Sequence, residues 1–227
     1  MIVFERILVV AAHPDDETLG AGGTIARWSD EGRQVAVAFL TNGVGARGDA
    51  GGLEAASVRR TAATRAGEVF GVGELRFGDL PDNQLDQVPM LRVAQHVEGL
   101  IEEFQSELVL THHPGDLNVD HRIAAEAVAT ACRPQPGHPV RFIWSFEVPS
   151  STEWRLPNAT SAFLPDVFVD ISEHWDDKRA ALLAYEQELR TWPHARSLGA
   201  IEALARWRGA SVGLGAAEAF VAQRMML

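Results

Sequence analysis

Ile7-Leu8-Val9-Val10-Ala11-Ala12-His13-Pro14-Asp15-Asp16-Glu17 is the stretch that decides the fold. Its first six residues form an apolar, β-branched run of the length of a buried strand, and Pro14 stops any ladder two residues later. The polar half then places one imidazole and three carboxylates within five residues, at the end of what reads as a central strand. Carboxylates repel one another and resist desolvation, so such a cluster calls for a cation. The spacing lets His13 and Asp16 reach one metal ion while Asp15 points past it.

Outward from this junction, strand and helix patterns alternate. Glu17 to Ser29 reads as a helix, Val35 to Leu40 as a second buried strand, and Glu54 to Phe70 as a helix with apolar residues at Val58, Ala62, Ala66, Val69 and Phe70. Glu74 to Phe77 is a short strand, and Val88 to Phe104 carries the clearest amphipathic pattern of the chain. Leu108 to Thr111 is a strand running into His112-His113-Pro114-Gly115-Asp116, Asp120 is placed to cap the next helix, and Val140 to Phe146 is another strand. Strands separated by helices of this length predict right-handed crossovers and a mostly parallel sheet covered on both faces, an α/β fold of three layers. Sites in such sheets form beyond the carboxyl ends of the strands, where the strand order reverses. His13, Arg47, Asp82 and the segment His112 to His121 all follow strand ends and can share one crevice.

Beyond Phe146 the periodicity weakens. Residues 147 to 165 read as a long loop, Val167 to Ile171 as a strand, Glu173 to Leu189 as a helix, and Ile201 to Trp207 and Ala216 to Met225 as two more helices. With no internal repeat or linker, residues 1–227 read as one domain, in which 1–146 form the core with the metal site and 147–227 complete its pocket. Gly20-Ala21-Gly22-Gly23 lies inside the first helix pattern and is explained by close helix-to-sheet packing rather than by phosphate binding. Of six tryptophans, Trp144, Trp175 and Trp207 read as core, and Trp154 and Trp192 as substrate contacts.

Twenty basic against 31 acidic residues give the 227-residue chain a net charge of −11. This disfavours nucleic acid and anionic membranes as partners. A single cysteine, Cys132, excludes an intrachain disulfide and a thiolate metal cluster. No basic leader and no run of about 20 apolar residues is visible, so the expected location is the cytoplasm.

The residue types point to His13, Asp16 and His121 around zinc, with an open position for water, and to Asp15 as general base. Asp120 can orient an imidazole from behind or cap its helix. The acidic run at 15–17 also suits the positive end of a helix dipole, and His112 and His113 also suit an exposed loop.

The ordered set Ala12-His13-Pro14-Asp15-Asp16-Glu17, Thr41-Asn42-Gly43 with Arg47, Pro81-Asp82-Asn83-Gln84-Leu85-Asp86, and Thr111 through His121 resembles the LmbE-like (PIG-L) deacetylases over roughly the first 150 residues. The resemblance implies a Rossmann-like fold and a zinc-dependent amidase that removes acetyl from an N-acetylglucosamine-type unit. One Zn2+ per chain, or another divalent metal, would sit on His13, Asp16 and His121. It also implies Asp15 as base, Arg47 as a contact to substrate hydroxyls or phosphate, and a trimeric or hexameric assembly. The chain departs from the family where Asn118-Val119-Asp120-His121 replaces the more usual His-Pro-Asp-His. Asn118 donates a hydrogen bond to an oxyanion but cannot shuttle a proton. Either Asp15 both takes and returns it, or His112, His113 or His194 substitutes. The rival readings are another metal-dependent ester or amide hydrolase, and a metal-binding homologue without turnover.

Overall fold

The computed structural model describes residues 4–43, 52–156 and 162–227. Strand β1 (Arg6–Ala11) lies centrally, parallel to β2 (Gln34–Thr41) on one side and to β4 (Leu108–His112) on the other. Ile7 is opposite Val35 on β2 and Leu108 on β4. With β3 (Glu74–Leu80), β5 (Phe142–Phe146), β6 (Val167–Asp170) and β7 (Ala217–Met225) the order across the sheet is β3-β2-β1-β4-β5-β7-β6. The first five strands are parallel, and β7 runs antiparallel to both β5 and β6.

Burial on both faces explains the unbroken apolar runs. Ile7, Val9 and Ala11 of β1 join one core with Val37, Phe39 and Leu110, while Leu8, Val10 and Ala12 join the other with Ala38, Leu40 and Val109. The first core is covered by α1 (Asp16–Asp30), α2 (Gly52–Phe70), α5 (Trp175–Ala184) and α6 (Leu198–Ala210), the second by α3 (Met90–Phe104) and α4 (Val119–Ala131). Helix α1 lies close on the sheet because its glycines allow it: a Cβ at Gly20 would fall 2.3 Å from the Phe146 ring, and one at Gly23 2.8 Å from Ile171. The packing reading of the glycine run holds.

Three expectations need correction. Ala217–Met225 is a strand, not a helix. Its Ala, Glu and Gln residues favour a helix in isolation, but the gap between β5 and β6 needs backbone donors and acceptors on both sides, and pairing overrides propensity. Residues 173–189 divide into a 3₁₀ turn at Ser172–His174, α5, and a second turn at Glu186–Glu188. Trp207 lies on the outer face of α6, 68% exposed, whereas Trp144 is core and Trp175 packs against it. Among the described residues no helix is long and apolar enough to cross a membrane.

A buried ion pair ties α1, the helix that begins at Asp16, to the far end of the chain. Lys178 Nζ on α5 meets Glu218 Oε1 on β7 at 2.5 Å and donates to the Leu19 carbonyl at 2.9 Å. The Glu218 carboxylate also accepts from the Gly23 and Thr24 amides of α1 at 2.9 and 2.7 Å. Glu218→Ala would leave a buried ammonium uncompensated. It is expected to cost about 3–5 kcal/mol in urea unfolding, and Lys178→Met added to it should recover much of that loss. Equal stability of the single and double variants would contradict this role.

Candidate active site

The sheet order runs outward from β1 in one direction and from β4 in the other, so the crevice beyond their carboxyl ends is the switch point. His13, Asp15 and Asp16 come from the turn after β1, Asp82 from the turn after β3, and Asp116, Asp120 and His121 from the loop and helix after β4. His13 Nδ1 lies 3.1 Å from Asp16 Oδ2, and His121 Nε2 lies 3.3 Å from the same oxygen. Each imidazole turns its other nitrogen onto a carboxylate. His13 Nε2 faces Asp82 Oδ1 at 2.9 Å and Asp120 Oδ2 at 3.2 Å, and His121 Nδ1 faces Asp116 Oδ1 at 3.2 Å.

This backing of each ring by a carboxylate fixes tautomer and orientation as metal sites require. Two groups of side chains converge closely enough to hold a cation: His13, Asp16 and His121, and His13, Asp82 and Asp120. The first is the better fit, because Asp16 Oδ1 and His121 Nε2 are buried there without a hydrogen-bond partner. In the second, the Asp120 oxygens already accept from the Asn83 and Leu85 amides at 2.7 and 3.0 Å.

The electrostatics follow from this packing. Burial depresses the His121 imidazole, but Asp16 and Asp116 outweigh it and push its pKa up to about 9. Burial raises the Asp116 carboxyl, yet hydrogen bonds from His121, Ser151 and Thr152 bring it down to about 2. Burial also opposes ionisation of Asp16, and the surrounding imidazoles His121, His112 and His13 hold it well below the usual carboxylate range. His112 is pushed down to about 3 by burial and by His121. It is a neutral ring stacked on His121, centroids 3.9 Å apart, whose Nε2 accepts from the Ala12 amide at 2.8 Å. His112 therefore orders the site, with Nε2 committed to the Ala12 amide. The loop reading of His112 fails, since the residue ends β4 and is fully buried.

Asp15 occupies the N-cap position of α1, yet its side chain makes no capping hydrogen bond and its backbone stands at φ 125°. Such a conformation is costly for a residue with a Cβ. Glu17 helps to hold it by accepting from the Asp15 amide at 3.0 Å, and burial pushes the Glu17 carboxyl up to about 7. Asp15 Oδ2 accepts from Arg196 Nη1 at 2.9 Å, and Arg59 Nη1 lies 3.8 Å away. Burial raises the Asp15 carboxyl above its ordinary range against the opposing pull of Arg196. Conversion of Arg196 to Ala is expected to lower kcat more than it raises KM, because it frees the Asp15 side chain without removing any part of the metal cluster; a KM effect alone would contradict this.

The other candidates take the following places. Asn118 is the N-cap of α4, its Oδ1 accepting from the Asp120 amide at 2.8 Å, so that oxygen is committed to the helix. Asp120 is consequently not the cap and stands behind His13 instead. His113 packs edge-on against Phe163, with ring centroids 5.3 Å apart. His194 stands at the rim, edge-on to Trp154 at 5.5 Å, with Nδ1 accepting from the Arg196 amide at 3.0 Å. Arg47 and the sequon at Asn158 lie outside the described residues. Asp116 and Asp82 lay unassigned within the quoted motifs. Arg196 and the pair Ser151 and Thr152, whose hydroxyls grip Asp116, carried no local signal.

A doubly wound sheet with two carboxylate-backed imidazoles and a carboxylate at its switch point has the form of a metal-dependent hydrolase. The chain belongs to the PIG-L family: residues 8–132 match the family model described as GlcNAc-PI de-N-acetylase. It is 30% identical over 189 residues to a probable N-acetyl-alpha-D-glucosaminyl L-malate deacetylase 2 of Bacillus cereus, covering 81% of this chain and 83% of that one. It is likewise 30% identical over 210 residues to the 4-oxalmesaconate hydratase of Pseudomonas putida, covering 82% and 75%. The fold is shared with the N,N'-diacetylchitobiose deacetylase of Pyrococcus horikoshii, at 20% identity, a TM-score of 0.78 and coverage of 97% and 84%. The chain is thus an enzyme of the deacetylase family, and its His13, Asp16 and His121 form a cluster able to bind a metal ion.

Proposed function

We propose that this protein is a zinc-dependent N-deacetylase that hydrolyses the acetamide of an N-acetylglucosamine-type unit in a glycoconjugate. The observation that carries the reading is the pairing of two unlike carboxylates. Asp16 lies against the imidazoles of His13 and His121, while Asp15, one residue before it, is held by Arg196. His13, Asp16 and His121 would hold the ion, which in such a site supplies polarisation of the carbonyl and a water with a pKa of about 7.

Asp15 takes a proton from the attacking water as its oxygen bonds to the acetyl carbon. The C–N bond then breaks, the proton goes to the amine nitrogen, and acetate leaves. His112 is fully buried with its Nε2 committed to the Ala12 amide, so Asp15 returns the proton itself or His194 assists from the rim. Residues 147–227 wall the pocket: the turn that grips Asp116 also carries Trp154, which is half exposed against His194.

Incubation with N-acetylglucosaminyl conjugates of malate and inositol, with acetate and free amine measured together, tests the reading. Turnover of 4-oxalmesaconate without acetate release would favour the hydratase relative's chemistry instead. Within the pocket, Trp154→Ala is expected to raise KM several-fold with little change in kcat, the signature of uniform binding. Trp192, 70% exposed, is expected to respond less. Unaltered KM for Trp154→Ala would remove it from the substrate wall.

A further inference from the structure

Beside the metal cluster, at the carboxyl ends of β2 and β3, lies a cavity of about 300 Å³ whose walls include Pro14, Asn42, Ser57, Arg60, Phe77 and Gly78. Its size is at the lower end of the ~300–1,000 Å³ of ligand pockets, enough for a small substituent rather than a whole glycoconjugate. The two consecutive arginines of α2 are used differently. Arg59 is consumed internally, its Nη2 on Glu188 Oε1 at 2.7 Å and its Nη1 donating to the Pro14 carbonyl at 3.0 Å. Arg60 turns to the cavity, with its guanidinium carbon 4.5 Å from the Phe77 ring centroid, and that ring is stacked on Phe39 at 5.2 Å. Among the described residues no carboxylate forms an ion pair with Arg60. The wall at Gly78 stays bare because a Cβ there would come within 2.4 Å of the Leu40 carbonyl oxygen.

We propose that this cavity is a subsite for an anionic group, a carboxylate or a phosphate, carried by the part of the substrate that remains with the amine, with Arg60 on its Phe77 platform as the recognising charge. The proposal rests on the deacetylase reading for its substrate, but not for its binding chemistry. Pro14 lies between His13 and Asp15 in the chain and forms a wall of the cavity. A substrate with its acetamide at His13 and Asp16 therefore reaches the cavity by extending over Pro14. Arg60 is exposed, and its guanidinium, set over the Phe77 ring, has N–H groups to offer a carboxylate or a phosphate. Ser57, one turn earlier on the same helix, also lines the cavity and carries a hydroxyl able to donate. In a chain of net charge −11, an arginine with no carboxylate partner among the described residues is a local exception to a field that repels anions.

The test compares wild type with Arg60→Gln on two conjugates, N-acetylglucosaminyl L-malate, which is anionic, and its neutral inositol counterpart. The expected result is a KM raised by about 10–100-fold for the malate conjugate, the worth of a charge-assisted contact, with kcat unchanged and the inositol conjugate unaffected. Equal changes on both conjugates, or none on either, overturn the subsite. A second arm titrates L-malate and inorganic phosphate separately into both proteins by NMR or calorimetry. Binding of either ion to wild type and its loss in Arg60→Gln supports the subsite and identifies its anion, even if neither conjugate releases acetate and the deacetylase reading falls. Absent or equal binding in the two proteins overturns it.

Discussion

Asp15→Asn is expected to lose about 10²–10⁴-fold in turnover while keeping its metal and its fold. The substitution preserves size, and Asn tolerates positive φ at least as well as Asp, so the backbone at φ 125° is retained. The amide oxygen can still accept from Arg196, so orientation survives and only proton acceptance is removed. Stability should stay close to wild type, because the Asp15 side chain caps nothing and burial already works against its charge. Loss of a capping carboxylate would instead cost on the order of 1 kcal/mol and spare turnover. An active but destabilised Asp15→Asn protein would therefore refute the general-base role, and acetate release, metal content and melting temperature on one variant decide it.

Removing His121 should be as severe by another route. His121→Ala is expected to abolish tight metal binding and essentially all deacetylation. Asp116→Asn, which only loosens the ring from behind, should keep the metal at about 10–100-fold lower affinity. The metal-free protein offers a reading independent of activity. Its His121 pKa of about 9 stands above the ordinary 6.5, so the stabilisation from the protonated ring is complete below about 6.5 and is lost as pH rises through 9. After chelation, the melting temperature of wild type should fall across that window relative to His121→Ala, while metal affinity rises across it as the ring gives up its proton. Parallel melting curves of the two proteins from pH 6.5 to 9 would contradict the geometry around Asp16.

The parts of the fold that were legible in sequence are those where burial leaves no alternative. β1, β2 and β4 are buried on both faces, and their short, continuous apolar runs read as central strands. The amphipathic α3 announced itself by period. β7 was misread because half of its residues are equally at home in a helix, and only the vacancy between β5 and β6 determines its state. The site was legible where ligand and strand end coincide, as at His13 and Asp16. It was obscured where two residues compete for a single role, since Asn118 caps α4 and thereby releases Asp120 to stand behind His13. Arg196 could not have been found from sequence, because it reaches Asp15 across 181 positions from a segment with no periodic pattern.

The placement of β7 also sets the order in which the molecule can be assembled. β6 precedes β7 in the chain but has no other neighbour in the sheet, and until β7 inserts, the edge of β5 is open to any passing strand. Glu218, carried by that same strand, accepts from the Gly23 and Thr24 amides of α1, the helix that begins at Asp16. His13 and Asp16 stand within the first 17 residues of the chain, and the helix that begins at Asp16 is tied through Gly23 and Thr24 to a strand some 200 residues later. A molecule in which β7 has come away would lose the Glu218 carboxylate from the Gly23 and Thr24 amides, and metal binding measured as β7 is destabilised would show whether that loss is felt at His13, Asp16 and His121.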